Sequence, residues 1–213
     1  MSLRKTNFVY GEFYHIYNRG INKQKIFHDS ADYHRFLKLL YTANSEKNLV
    51  IRNFSKEVYQ LKKGERLVSI GAYCLMPNHF HILITQTEKG DITKFMHKLC
   101  TAYSMYYNNK YQRTGKLFEG KFKSEYAGTD NYLKYLFSYI HLNPLKIKDT
   151  EWKNKSVEKW AKDFLGTYKF SSYTDYLGQE REDKVILDKS DFPDYFPTRA
   201  SFQREIADWL NLA

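Results

Sequence analysis

The stretch "CLMPNHFHILITQ", Cys74–Gln86, sets two histidines one residue apart where an apolar strand begins. On a strand, residues i and i+2 share a face. His79 and His81 therefore point the same way, their side-chain origins about 6.5–7 Å apart. Phe80, between them, points to the opposite face and can enter a core. Imidazoles leaning together from such positions can share one cation at about 2.0–2.2 Å. The plainer reading is two ordinary histidines near a strand end, and no local third ligand decides between the two.

The elements around this strand follow from periodicity. "FYHIYNRG" (Phe13 to Gly20) alternates and ends at a glycine, so it reads as a strand and turn. "SADYHRFLKLLYTAN" repeats Tyr33, Phe36, Leu37, Leu40 and Tyr41 at helical spacing, with Ser30 as its cap. "LVIRNFSKEVYQL" and "RLVSIGAYCLM" read as two strands joined by a hairpin at "KKGE". After "FHILITQ" comes a long amphipathic helix, "DITKFMHKLCTAYSMYYNNKY", with Ile92, Phe95, Met96, Leu99, Ala102 and Met105 on one stripe. "RTGKLFEGKFKSEYAG" reads as a basic loop entering a short strand. A second helix, "TDNYLKYLFSYIHLN", is capped by Thr129 or Asp130; Pro144 disfavours helical geometry at Asn143, so the helix should end or kink there. Beyond residue 150 the signals weaken, until "SFQREIADWLNLA" closes the chain as a short helix. Strands interleaved with helices predict an α+β fold, an antiparallel sheet with helices packed on it in the ferredoxin-like split arrangement.

The chain has 213 residues and a formal net charge of +10. That length allows one domain with a full core plus an extension, or two small domains. The positive excess fits either a lysine-rich soluble surface or a polyanionic partner, most simply nucleic acid. With 19 Tyr and 15 Phe, stacking faces for bases are plentiful, though most such rings belong in a core. Two isolated cysteines, Cys74 and Cys100, make neither a disulfide framework nor a zinc knuckle, and a reducing cytoplasmic location is expected. No apolar run is long enough for a membrane span, and the N-terminus lacks the apolar centre of a secretory signal.

A third ligand for the histidine pair must come from elsewhere: another histidine, a carboxylate or an amide oxygen. His97 reads as a structural residue in mid-helix and His28 as a loop residue. His15, on the first strand, can neighbour the pair. Two imidazoles with oxygen ligands and water suit a labile divalent ion, manganese or magnesium, better than a closed zinc cage. In "YLFSYIHLNPLKI" (Tyr135 to Ile147), Tyr139 and Asn143 lie one helical turn apart on one face. A phenol and an amide there can serve a common site. Tyr135 lies on the same face a turn earlier, and spacing does not fully separate it from Tyr139. His141 should point elsewhere, as a structural or solvent-facing residue.

Taken together, "YHIYNRGINKQKIF", "AYCLMPNHFHILI", "RTGKLFEGKFKSEY", "YLKYLFSYIHLNPLK" and, more loosely, "YKFSSYTDYLG" resemble, in order, the HUH-type single-tyrosine transposases of bacterial insertion sequences. Within these they are similar to the REP-associated tyrosine transposases. The resemblance covers most of residues 10–180. It implies a catalytic domain over 1–150, followed by an extension of unassigned role over 151–213. It also implies metal-dependent nicking and rejoining of single-stranded DNA at hairpin-containing sequences. His79 and His81 match the family's metal motif, Tyr139 its nucleophile, and Asn143 the polar residue that completes the metal site. Related relaxases draw a third histidine where this chain has Asn143. Arg19, Lys23 and Lys25, with Arg113, Lys116, Lys121 and Lys123, would line a phosphate path. Phe118 and Phe122 would either stack bases or fill the core. The partner would be single-stranded or hairpin DNA, and the protein a monomer or homodimer. The alternative is a hairpin-binding module that has lost cleavage; a weaker one is a metal phosphoesterase that uses water.

Overall fold

The computed structural model describes residues 7–49, 58–154 and 158–211. Four strands form one antiparallel sheet: β1 (Phe13–Arg19), β2 (Val68–Met76), β3 (His79–Gln86) and β4 (Lys123–Tyr126), in the order β2-β3-β1-β4. Helix α1 (Ser30–Ala43) links β1 to β2, and α2 (Ile92–Lys110) links β3 to β4. This is the expected ferredoxin-like arrangement. The hairpin at "KKGE" is not part of it. Val58–Gln60 forms a single 3-10 turn, and the remainder of that expected strand, 50–57, lies outside the described residues. The partner of β2 is β3, reached through the two-residue turn Pro77–Asn78, with Met76 paired to His79.

The two faces of the sheet pack differently. Tyr14, Ile16, Phe80, Ile82 and Ile84 meet α1 and α2 in the larger core. Ala72, Cys74, Met76 and Leu83 meet α3 (Asp130–Leu142) on the other face. Strand β2 keeps both sets aligned through a register shift between Ile70 and Ala72. That bulge turns Ile70 to one side and Ala72 to the other. Its extra residue is Gly71, where a Cβ would lie 2.8 Å from the Phe192 ring.

Capping and helical phase refine the sequence reading. Asp29, not Ser30, caps α1, accepting from the Asp32 amide; Asp91 and Thr129 cap α2 and α3. The buried stripe of α2 runs Ile92, Phe95, Met96, Leu99, Tyr103, Tyr107. Met105 is 69% exposed, because six residues past Leu99 is far from a whole number of turns.

After Pro144 the chain forms α4 (Leu145–Lys148), α5 (Glu158–Thr167), α6 (Tyr173–Tyr176) and α7 (Arg199–Asn211). Leu142 and Leu145 join Trp152, Leu165, Phe202, Ile206 and Leu210 in a third core. The same region covers the edge of the sheet. Leu75 N donates to Phe170 O (2.9 Å), Ser172 N to Tyr73 O (3.0 Å) and Asp188 N to Ile70 O (2.9 Å). All nine residues of β2 are consequently buried, although it is an edge strand. Among the described residues no helix is long and apolar enough to cross a membrane. Both cysteines are free thiols.

Candidate active site

Strand alternation places Phe13, His15 and Tyr17 of β1, and His79, His81 and Leu83 of β3, on the face beneath α3. Phe80 points the other way and is fully buried against Phe36 and Phe118. Helix α3 crosses above the histidines. The Tyr139 ring stands edge-on to His81 at 5.6 Å between centroids, and to His15 at 5.7 Å. Among the described residues its hydroxyl takes part in no hydrogen bond, and the side chain is half-buried. Tyr135 packs instead on Trp209 (5.2 Å) and on Tyr139 (5.8 Å). The position that spacing left open is thus separated by geometry: the ring contacts of Tyr139, not those of Tyr135, reach the imidazoles.

Asn143 keeps helical dihedrals (φ −53°, ψ −38°) despite the following proline. Its amide therefore stays in phase with Tyr139, donating from Nδ2 to Tyr139 O at 2.8 Å. Its Oδ1 accepts from Lys146 Nζ at 3.2 Å, and that ammonium sits 5.3 Å from the centre of the Tyr139 ring.

Close contacts of the histidine pair bear on which nitrogens are free. Asn78 Nδ2 donates to Lys23 O (3.2 Å), so its Oδ1 faces His79 and accepts from Nδ1 (2.6 Å). The His79 Nε2 then keeps its lone pair. The His81 Nδ1 lies 2.8 Å from His15 Nε2. The His15 Nδ1 lies 3.9 Å from Glu125 Oε2, which favours a proton on Nδ1 and a lone pair on Nε2. His81 then donates through Nδ1, and its Nε2 is left open as well. Glu125 is itself held by the hydroxyls of Tyr17 (2.8 Å) and Tyr132 (3.1 Å); burial, and then that carboxylate, raise both phenols to about 12.

Electrostatics keep the imidazoles neutral. Burial lowers His15 to about 4 against the pull of Glu125. Burial, then the charges of Lys146 and Arg19, lowers His79 to about 4. Burial also drives His81 well below its usual range. Neutral nitrogens are the form a cation needs. Among the described residues no cluster of three or more His, Cys, Asp or Glu is arranged to hold a metal. Two imidazole nitrogens joined by an amide oxygen, the set expected from the sequence, would suit a labile divalent ion rather than a structural zinc.

The remaining histidines lie outside this set. His141 is fully buried, bonded through Nε2 to Ser172 Oγ (2.8 Å), and held near 3 by burial. His97 is exposed rather than structural. His28 bonds the Tyr107 hydroxyl at 2.7 Å.

The two basic segments converge beside the pair. Gly20 N donates to Asn78 O (2.8 Å), Ile21 N to Leu117 O (2.9 Å) and Glu119 N to Arg19 O (3.0 Å). Asn22 and Lys23 take left-handed dihedrals (φ 53° and 60°) to form this loop. Lys23, Lys25, Lys116, Lys121 and Lys123 are exposed. Arg19, by contrast, forks onto Glu119 at 2.6 and 2.9 Å, and Arg113 lies over the Tyr107 ring. Phe118 is core, and Phe122 stacks near Phe8 at 6.3 Å.

The sequence reading missed Glu125, Tyr17, Tyr132, Asn78 and Lys146. Tyr17 was accessible, two residues from His15 on one strand face. Glu125 was not, since its place opposite His15 depends on β4 pairing with β1.

Residues 8–143 match the family model described as "Transposase IS200 like". Over 91% of its length the chain superposes on 96% of a solved structure described as a REP-associated tyrosine transposase bound to a REP hairpin. The TM-score is 0.54 at 13% sequence identity, a likeness of fold. No curated protein matches the chain.

Proposed function

The chain belongs to the IS200-like transposase family, and from that premise we propose that it nicks and rejoins single-stranded DNA beside hairpins, with Tyr139 as nucleophile. The observation that carries this reading is the edge-on approach of Tyr139 to His81 at 5.6 Å, with the Asn143 amide one turn on. The solved structure of similar fold is bound to a REP hairpin, which supports hairpin DNA as the partner here.

The Tyr139 oxygen attacks the scissile phosphorus and gives up its proton to solvent. The bond from phosphorus to the 3′ oxygen breaks, and that oxygen takes up a proton. The 5′ phosphate stays on the phenol until a 3′ hydroxyl attacks it and reverses the exchange. One phosphoester replaces another at each step, so no ATP is needed. A free phenol titrates near 10 and is a weak nucleophile at neutral pH. A divalent ion, manganese or magnesium, supplies the polarisation of the phosphate and offsets transition-state charge when bound. His79 and His81 would hold it through Nε2, and Asn143 through Oδ1. Half-burial beneath α3 orients the phenol, and Lys23, Lys25, Lys116, Lys121 and Lys123, with Arg19 and Arg113 behind them, would carry the DNA backbone.

The test is incubation with labelled hairpin DNA and manganese. A protein–DNA adduct that survives denaturation, and is lost in Tyr139→Phe, is the expected result. Hairpin binding without adduct would leave a holder of DNA. Cleavage without adduct, retained in Tyr139→Phe, would mean water as nucleophile.

A further inference from the structure

Lys146 lies where the nicking reading requires no residue. It is the second residue of α4, whose first, Leu145, is fully buried and anchors the turn after Pro144. The chain is half-buried. Its Nζ sits 5.3 Å from the centre of the Tyr139 ring and 3.2 Å from Asn143 Oδ1. Among the described residues no carboxylate pairs with it; burial and then the charge of Lys153, in the same cleft, disfavour its ammonium, against a smaller opposing pull from Cys74. That cleft, between α3 and the C-terminal region, is lined by Tyr135, Tyr139, Leu142, Asn143, Trp152 and Trp209 beside the two lysines, with no acidic residue among the described ones.

A partly desolvated ammonium without a counter-ion is costly. Half-buried cations elsewhere differ in their partners: Lys110 binds Asp29 and Asp32, and Arg181 binds Asp175 and Asp183, whereas Arg113 lies over the Tyr107 ring and Lys98 donates to the Ser45 and Lys47 carbonyls. Among the described residues Lys146 contacts a neutral amide and the face of a phenol. Both are interim partners for a charge whose natural complement is an anion. In phosphoryl transfer, negative charge spreads over the non-bridging oxygens, and a positioned cation there is a large catalytic contribution.

We propose that Lys146 is a catalytic residue of this site, its ammonium binding a non-bridging oxygen of the phosphodiester that Tyr139 attacks. This rests on the nicking function proposed above. Releasing Asn143 Oδ1 frees Lys146 for the phosphate and the amide oxygen for its own ligand role, so one movement prepares both groups. The flexible four-carbon stem permits it without backbone change. A lysine that merely orients Asn143 would make no contact with DNA.

The experiment measures single-turnover adduct formation with manganese and hairpin DNA for wild type, Lys146→Gln and Lys146→Arg. It also uses DNA in which methyl replaces either non-bridging oxygen of the scissile linkage. Lys146→Gln is expected to slow adduct formation about 100-fold, with hairpin affinity and thermal midpoint little changed, and Lys146→Arg to recover part of the rate. One methyl diastereomer should slow wild type and cause no further loss in Lys146→Gln. A Gln variant within threefold of wild type overturns the proposal. So does a slowed variant that keeps the full methyl penalty, because the lysine would then act only through Asn143. If wild type forms no adduct, the nicking reading falls and this role with it; a wild-type adduct with an indifferent Gln variant removes the lysine alone.

Discussion

The Nε2 of His15 lies 2.8 Å from the Nδ1 of His81, so β1 engages that nitrogen and leaves the Nε2 of His81, on β3, to face the site. The constraint begins at Tyr17 and Tyr132, which hold Glu125, and passes from Glu125 through His15. Such outer partners typically contribute 10- to 100-fold in metal affinity. His15→Phe, which keeps a ring in the space, should weaken manganese binding by about that factor while leaving hairpin affinity intact. Titration calorimetry on the DNA-free protein measures it. Unchanged manganese affinity would show that His81 is oriented without His15.

The basic rim makes a separate prediction, about salt. Lys116, Lys121 and Lys123 are exposed and lie on or beside the loop that joins the β1 turn. Each lysine that neutralises a phosphate contributes about 0.7–0.9 to the slope of log affinity against log salt. Replacing all three with Gln should flatten the slope for hairpin DNA by about 2–3. The cleavage rate of fully bound DNA should stay nearly constant. An unaltered slope would place the DNA elsewhere.

The candidate site was readable to the extent that its residues lie close together in sequence. His79, Phe80 and His81 follow from strand alternation, and Tyr139 with Asn143 from one helical turn. Proline 144 was expected to pull Asn143 out of helical geometry, yet the short helix after it keeps Asn143 in phase. What stayed hidden depends on strand order. His15 could be suspected but not joined to His81, because its diagonal contact requires β1 beside β3. Glu125 needs β4 beside β1 as well. The false hairpin at Gly64 arose because an apolar run adjoining a Gly turn looks like a strand, whereas the true hairpin turns on Pro77–Asn78. Lys146 looked like any surface lysine; its place against Asn143 Oδ1 and the Tyr139 ring distinguishes it.

The C-terminal region offers a test of pH-dependent stability remote from the histidines. Asp175 is buried beside Arg181, with Asp183 and Lys189 as further charged neighbours, and burial lifts its carboxyl to about 6. Arg181 also reaches the Tyr73 hydroxyl on β2, and the neighbouring Tyr176 bonds Gly71 O at 2.8 Å. Between about 4 and 6 the native state holds a proton that the unfolded chain has released. The contribution of Asp175 is therefore fully present below about 4 and is lost as pH rises through 6. Relative to wild type, Asp175→Asn should gain stability between pH 4 and pH 7, by roughly 1–3 kcal/mol for a shift of this size. Urea unfolding at the two pH values measures the difference. A constant offset between the proteins would show that Asp175 does not titrate in that window.

Neighbouring residues of β3 should fail in different ways. Phe80 is fully buried among Phe36, Phe118 and the α1/α2 core, so Phe80→Ala should cost about 3–5 kcal/mol of folding free energy. His81 faces the other side, where its ring borders His15, His79 and Tyr139. Its loss removes the nitrogen proposed to bind the cation and little of the main core. His81→Ala should abolish adduct formation while leaving hairpin affinity largely intact, because affinity comes mainly from phosphate contacts. Unfolding curves, hairpin titrations and adduct assays on both variants separate the roles. If His81→Ala loses hairpin affinity in step with cleavage while remaining folded, the imidazole takes part in holding DNA. The division between a strand face that stabilises and a strand face that reacts would then fail at this position.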